Sequence, residues 1–141
     1  MSKTAKPYPF TEEQEAWLQD LETTDAPQTK EYLHVQDDFR DIKAGFCCLG
    51  RACITLGIPA DTNMNFVKYD DLDNVLSDIG INKLRLHDDE GLFEEPADID
   101  GSTFGSLVAM NDNGKTFKEI AAYIRANPWN VFKDPNEASD T

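Results

Sequence analysis

The chain has 141 residues, enough for one domain with a true hydrophobic core and no need of metal or disulfide support. Its 27 acidic and 13 basic side chains give a net charge of −14, and 40% of its residues are apolar, which is globular rather than disordered composition. That charge excludes a conventional DNA or RNA binder, which needs a basic patch, and disfavours an anionic membrane surface. Among possible ligands it favours a basic protein partner or a cation, while the plainer and commoner role of such charge is to keep a protein soluble.

Residues 1–10 hold Pro7 and Pro9 and read as an extended arm. Thr11 with Gln14 forms a capping box for a helix that carries Trp17, Leu18 and Leu21 on one face and ends near Glu22. Pro27 breaks the linker that follows. Alternation over 31–36 predicts a short strand, and the charged stretch 37–45 a turn. Phe46-Cys47-Cys48-Leu49-Gly50-Arg51-Ala52-Cys53-Ile54 then shows helical spacing, stopped by Gly57 and Pro59. Gly50 lies within the apolar stripe of this helix, where it costs about 1 kcal/mol against alanine, and so predicts close approach of another backbone.

After a polar connection over 59–70, Leu72, Val75, Leu76 and Ile79 predict a helix with Gly80 as its C-cap. Residues 81–86 read as a short strand with Leu84 and Leu86 inward. From Asp88 to Asp100 there are seven carboxylates and no base, which predicts a mobile acidic loop. Ser102 caps an expected helix through Phe104, Leu107 and Val108. Asn111 to Gly114 is a turn, and Thr116 with Glu119 caps a helix bearing Phe117, Ile120, Ala121 and Ile124, which Asn127-Pro128 ends. Residues 133–141 read as an acidic, frayed tail. The expectation is therefore one α+β domain over 11–132. It is dominated by four or five short helices beside a small two- or three-stranded sheet. The cysteine helix sits at its centre, packed by helices at 103–110 and 117–126. The expected core is Trp17, Leu21, Phe46, Leu49, Ile54, Leu76, Phe104, Leu107, Phe117, Ile120 and Ile124.

Candidate chemistry is sparse. Cys47 or Cys48 with His34 or His87 could form a thiol nucleophile, but no local motif supports it, and buried cysteine is commonly a small hydrophobe. The three cysteines lack zinc-knuckle spacing. An EF-hand loop centred on Gly114 would begin at Ala109 and end at Ile120; centred on Gly101 it would begin at Pro96 and end at Leu107. Both lack the required acids, so no metal or other cofactor is expected. Cys48, Asn111 and Asp112 are the best candidates for the lining of a small pocket. Asp70, Asp71, Asp73, Asp88, Asp89, Glu90, Glu94 and Glu95 are the candidate contacts to a basic partner. No apolar signal-type segment opens the sequence and no run of 18 apolar residues occurs, which points to a soluble protein in a reducing cytoplasm.

Two blocks carry a resemblance. Phe46-Cys47-Cys48-Leu49-Gly50 and the run from Leu107 to Ile124, with Asn111-Asp112, Gly114, Phe117 and Ile120-Ala121 at its key positions, resemble a "(Y/F)CCLG" block and a C-terminal "LND-G-sF-eIA" block. These belong to a family of small proteins of tailed bacteriophages and prophages. Trp17 and Leu18 before the first block, Gln28, and Gly80 between the blocks follow the same order. Arg51-Ala52 replaces a more apolar pair, and Met110 stands where a leucine is usual. The resemblance implies a phage gene product acting in the cytoplasm of a bacterial host, and it carries no activity. The expected function is a non-enzymatic accessory protein that binds a host protein with a basic surface, in one form by mimicking nucleic acid to block a defence enzyme. A small enzyme or ligand-binding module and a minor virion component are the alternatives.

Overall fold

A computed structural model describes residues 7–135. The Thr11 hydroxyl accepts from the Gln14 N–H, and the Gln14 side chain accepts from the Thr11 N–H in return, opening helix α1, Glu12–Thr23. Strands β1, His34–Val35, and β2, Gly45–Phe46, pair antiparallel and lead directly into α2, Cys48–Leu56. A second small ladder, β3, Ala60–Asp61, with β4, Lys68–Tyr69, precedes α3, Asp78–Leu84. The third ladder joins β5, Leu92–Ile99, to β6, Ser102–Ser106. Helices α4, Leu107–Asp112, α5, Phe117–Ala126, and α6, Pro128–Val131, complete an α+β architecture with, among the described residues, six helices and three two-stranded antiparallel sheets.

Trp17, Leu18 and Leu21 of α1 are wholly buried, and the buried side chains from Tyr8 to Phe132 form one continuous core. Helix α1 packs on α2 and α5, and α2 also meets α3 and α4. The helix predicted over 117–126, α5, therefore rests chiefly on α1, and also on α4 and α6, rather than on the cysteine helix. Two ion-pair sets lock these crossings: Arg51 forks onto Asp20 at 2.7 and 2.9 Å, and Arg125 bridges Glu15 and Glu22 from α5 to α1. The Arg51 guanidinium also covers the Phe46 ring, 4.7 Å from its centroid, so a charged residue in the cysteine block is absorbed by α1 and a ring face.

Gly50 has the close contact that its place in the stripe predicts. A Cβ there would stand 1.8 Å from the Leu33 carbonyl oxygen, on the segment that leads into β1. The helix itself is shorter than its pattern. Phe46 belongs to β2 and Cys47 is the N-cap, because β2 occupies the start of the pattern, and Ile54 is 45% exposed rather than in the core. Gly57, at φ 70°, closes the helix as expected.

Four expected elements are corrected. The helix predicted up to Gly80 instead begins at Asp78, after Ser77, and Gly80 is its third residue, packed on Leu76. The strand predicted over 81–86 is the remainder of that helix. Leu84 and Leu86 are both fully buried, but Leu84 ends the helix and Leu86 pairs with Phe132. The acidic stretch is not a loop. Asp100 and Gly101, at φ 53° and 85°, make a two-residue turn that joins β5 to β6. Both positive angles suit the Asp-Gly pair that this type of hairpin turn favours. The helix expected from Ser102 consequently starts only at Leu107, with Ser106 as its cap.

The arm at 1–10 is anchored where it is described. Tyr8 is 6% exposed, lies edge-on to Trp129 and donates its hydroxyl to the Lys133 carbonyl at 2.7 Å. Lys133 in turn donates its N–H to the Arg85 carbonyl at 2.7 Å. The rest of the predicted arm, 1–6, and most of the predicted tail, 136–141, lie outside the described residues.

Replacing Gly50 by alanine must push α2 away from Leu33 and is expected to cost more than about 4 kcal/mol in chemical denaturation. The Gly105→Ala variant, with nothing within 4 Å of the added atom, should stay within about 0.5 kcal/mol of the parent.

Candidate functional site

The cysteine block and the Asn-Asp block meet in the interior. Helix α4 ends at Asp112, which places Asn111 on its inner side with 1% exposure. Its Oδ1 accepts from the Cys48 N–H at 3.1 Å and from Gln28 Nε2 at 2.8 Å, and its Nδ2 donates to the Thr29 carbonyl at 2.8 Å. Gln28 Nε2 also donates to the Lys115 carbonyl at 2.7 Å, and the Asp112 carboxylate receives the Glu31 N–H at 3.0 Å. One side chain therefore ties together the 28–31 segment, the first turn of α2 and the end of α4. Gln28, Asn111 and Cys48, which occupy three separate stretches of the motif order, are one hydrogen-bonded node.

Cys48, Asn111 and Asp112 are thus brought together as a polar joint whose atoms hold one another. Cys48 is fully buried, its Sγ 3.9 Å from the Leu107 carbonyl, and its own carbonyl accepts from Trp17 Nε1 at 3.0 Å. Cys47 is the N-cap of α2, its sulfur receiving the Gly50 N–H at 3.4 Å. All three thiols are free and buried. Burial raises the Cys48 thiol well above its ordinary range, Cys47 to about 11 and Cys53 to about 12. The helix N-terminus that favours a thiolate at Cys47 is outweighed by desolvation.

His34 is engaged with Phe46 and Tyr69 and not with a sulfur. His34 stacks on Phe46 with ring centroids 3.9 Å apart, and its Nδ1 lies 2.8 Å from the Tyr69 hydroxyl. Burial, with the nearby Arg51 charge, lowers the His34 pKa. His87 is half-buried just ahead of the acidic turn at 88–91. Among the described residues no group of three or more His, Cys, Asp or Glu side chains is placed to hold a metal ion. No helix among them is long and apolar enough to cross a membrane.

The carboxylates predicted to meet a partner fall into two places. Asp70 and Asp71, both at positive φ, form a tight turn closed by Tyr69 and Leu72, and the Asp73 carbonyl accepts from Leu33 at 2.8 Å. Leu76, three residues on, donates its N–H to the Asp89 carbonyl at 3.0 Å. Three residues of chain span at most about 11 Å, so the turn at 70–73 neighbours the turn at 88–90. Asp88 folds that second turn by accepting from the Glu90 and Leu92 N–H groups. The Glu90 and Gly91 carbonyls receive Val108 and Leu107. Glu94 and Glu95 lie further along β5, where the four residues 93–96 face Gly105 alone and bulge outward. Asn130 of α6 holds the bulge, its side chain accepting from the Glu95 N–H at 2.8 Å and donating to the Glu95 carbonyl at 3.0 Å.

Comparison with protein-family models, with curated proteins and with solved structures gives no match.

Two outcomes follow from the buried joint. The Asn111→Ala variant leaves the Cys48 N–H and the Thr29 carbonyl buried without this partner and is expected to lose about 3 kcal/mol by denaturant titration, with the Cys48 amide losing protection from hydrogen exchange. In the folded protein at pH 8 all three thiols should resist a thiol reagent such as Ellman's and react within minutes once urea unfolds the chain; a fast-reacting native thiol would contradict their burial.

Proposed function

We propose that the protein is a non-enzymatic binding protein that engages a basic protein partner through its acidic surface. The observation that carries this reading is the anchoring of the acidic segment. The carboxylates of 88–100 ride on a hydrogen-bonded turn and a hairpin sewn to α4 and α6, not on a mobile loop. A charged surface on a fixed backbone pays little ordering entropy on binding, and its field raises the encounter rate with an oppositely charged partner. The reading is further supported by the interior: the residues that might have formed a nucleophile or a pocket are spent on packing and on mutual hydrogen bonds.

The resemblance of the two blocks to phage proteins supports a bacterial host protein as the partner and the host cytoplasm as the place of action. A host enzyme with a basic nucleic-acid groove suits an anionic surface of this kind, since carboxylates held at fixed spacing can stand in for phosphates.

Affinity capture from bacterial lysate tests the reading. The parent chain should enrich proteins with basic surfaces, released by raising salt toward 0.5 M. An Asp71→Lys/Asp89→Lys/Glu90→Lys variant, which leaves the turn-forming Asp88 in place, should lose at least tenfold of the captured material. Capture that ignores both salt and charge reversal would refute the acidic surface as the binding element, and a purified basic partner that double-stranded DNA fails to displace would refute mimicry.

A further inference from the structure

The 28–31 segment, which carries Gln28 into the buried joint, also borders a groove. Across from it runs the turn over 39–42, closed by hydrogen bonds between Phe39 and Ile42 in both directions. The groove has a volume of about 340 Å³, at the small end of sites for small molecules. Thr29, Lys30 and Glu31 line it from one segment, and Asp41, Ile42 and Lys43 from the other. The joint fixes the first wall: Gln28 donates to Asn111 Oδ1 and to the Lys115 carbonyl, and the Glu31 N–H donates to the Asp112 carboxylate.

Two features of this groove have no role in the packing. Thr29 is 3% exposed and spends its N–H on the Phe46 carbonyl and its carbonyl on Asn111 Nδ2. Among the described residues its hydroxyl has no hydrogen-bond partner, and a polar group in so buried a residue ordinarily has one. That oxygen is not sealed inside the protein, so it opens on the groove that Thr29 lines. Glu31 stands at φ 72°, in the left-handed region, which costs a residue with a side chain about 1–3 kcal/mol. Strain of this kind collects where a binding site needs a side chain held in one direction. The charges are also uncommitted. Among the described residues Lys30, Glu31 and Asp41 form no ion pair, and Lys43 meets Asp38 only at 3.7 Å with both side chains exposed, a contact of little worth.

We propose that this groove binds a small zwitterion of the α-amino-acid class. Lys30, Lys43 and the Thr29 hydroxyl receive its carboxylate, Glu31 and Asp41 receive its ammonium group, and Ile42 offers the apolar contact. The balance of charge selects that class. Two ammonium and two carboxylate side chains line the groove, so a ligand of one sign meets a like-charged pair. An anion would also approach against a net charge of −14. A simple cation finds carboxylates without lysines beside them elsewhere on this surface. A zwitterion has no net charge for the long-range field to act on, and it gains charge-assisted hydrogen bonds at both poles. The site stands apart from the acidic-surface reading and does not depend on it.

The test titrates the full-length ¹⁵N-labelled protein with each of the common protein α-amino acids in turn. At least one should shift the amides of 28–31 and 41–43 saturably. Its N-acetyl derivative, which lacks the ammonium charge, and its carboxamide, which lacks the carboxylate, should each bind at least about tenfold more weakly. The Lys30→Gln/Lys43→Gln variant should lose at least about tenfold as well. Thr29→Val removes only the hydroxyl and should weaken binding several-fold while leaving the urea midpoint unchanged or raised, since no internal hydrogen bond is lost. If no amino acid shifts these amides, or the shifts fall on other residues, the proposal is overturned. Acetate or methylammonium binding as tightly as the whole amino acid would overturn it too, as would unchanged affinity in the Lys30→Gln/Lys43→Gln variant.

Discussion

The first turn of α2 is the constraint on which the rest of the molecule depends. Gly50 lies against the Leu33 carbonyl, the Cys47 N–H donates to that same carbonyl at 3.0 Å, and the Cys48 N–H is taken by Asn111. Phe46 exchanges backbone hydrogen bonds with the other side of the 27–29 segment, donating to Pro27 and accepting from Thr29. The free N–H groups of a helix start need partners when they are buried. Here they are supplied by the Leu33 carbonyl and the Asn111 amide, from distant parts of the chain, and by the thiol of the N-cap Cys47. Any side chain at position 50 would part α2 from Leu33 and so loosen these contacts together.

This joint brings the two blocks into contact. Phe46 to Gly50 supplies the helix start, and Asn111 supplies the amide that satisfies it, with Gln28 as the third member. Cysteine suits positions 47 and 48 because it is small and apolar and carries only a weakly polar sulfur that tolerates a dry interior. A thiol raised to about 11, as at Cys47, is a packing group and not a nucleophile at neutral pH. The chemistry of the block is therefore structural.

The acidic hairpin shows how a highly charged segment becomes ordered. Its inward residues are few: Phe93 and Phe104 are buried, and Ala97 and Ile99 are half-buried. Its order comes from the Asp-Gly turn, from hydrogen bonds to Leu107 and Val108, and from Asn130 at the bulge. Glu94, Glu95, Asp98 and Asp100 face away from the core, so their mutual repulsion is spent in solvent, where screening over about 10 Å weakens it.

The sequence by itself determined what depends on neighbours within four or five residues. Both capping boxes, the apolar faces of α1 and α5, the Gly57 stop and the need for a glycine at position 50 are all local patterns with local causes. Cys48, Asn111 and Asp112 were legible as a group, although as a pocket rather than as the polar joint they form. Tertiary structure decided the rest. Ser77 opens α3 without a glutamate three residues later, so no capping box marks it, and Leu76 is buried by contact with Gly80 rather than by a helix of its own. The charge density of 88–100 hid a strand whose one clear local signal was Asp100-Gly101. Ile54 falls on the apolar stripe yet is exposed, since which part of a helix face is covered depends on the elements packed against it and not on the stripe alone. The groove over Thr29 has no signature in the sequence at all. One wall of it is placed because Gln28 reaches Asn111, 83 residues away, and contacts of that range are fixed only when the whole chain packs.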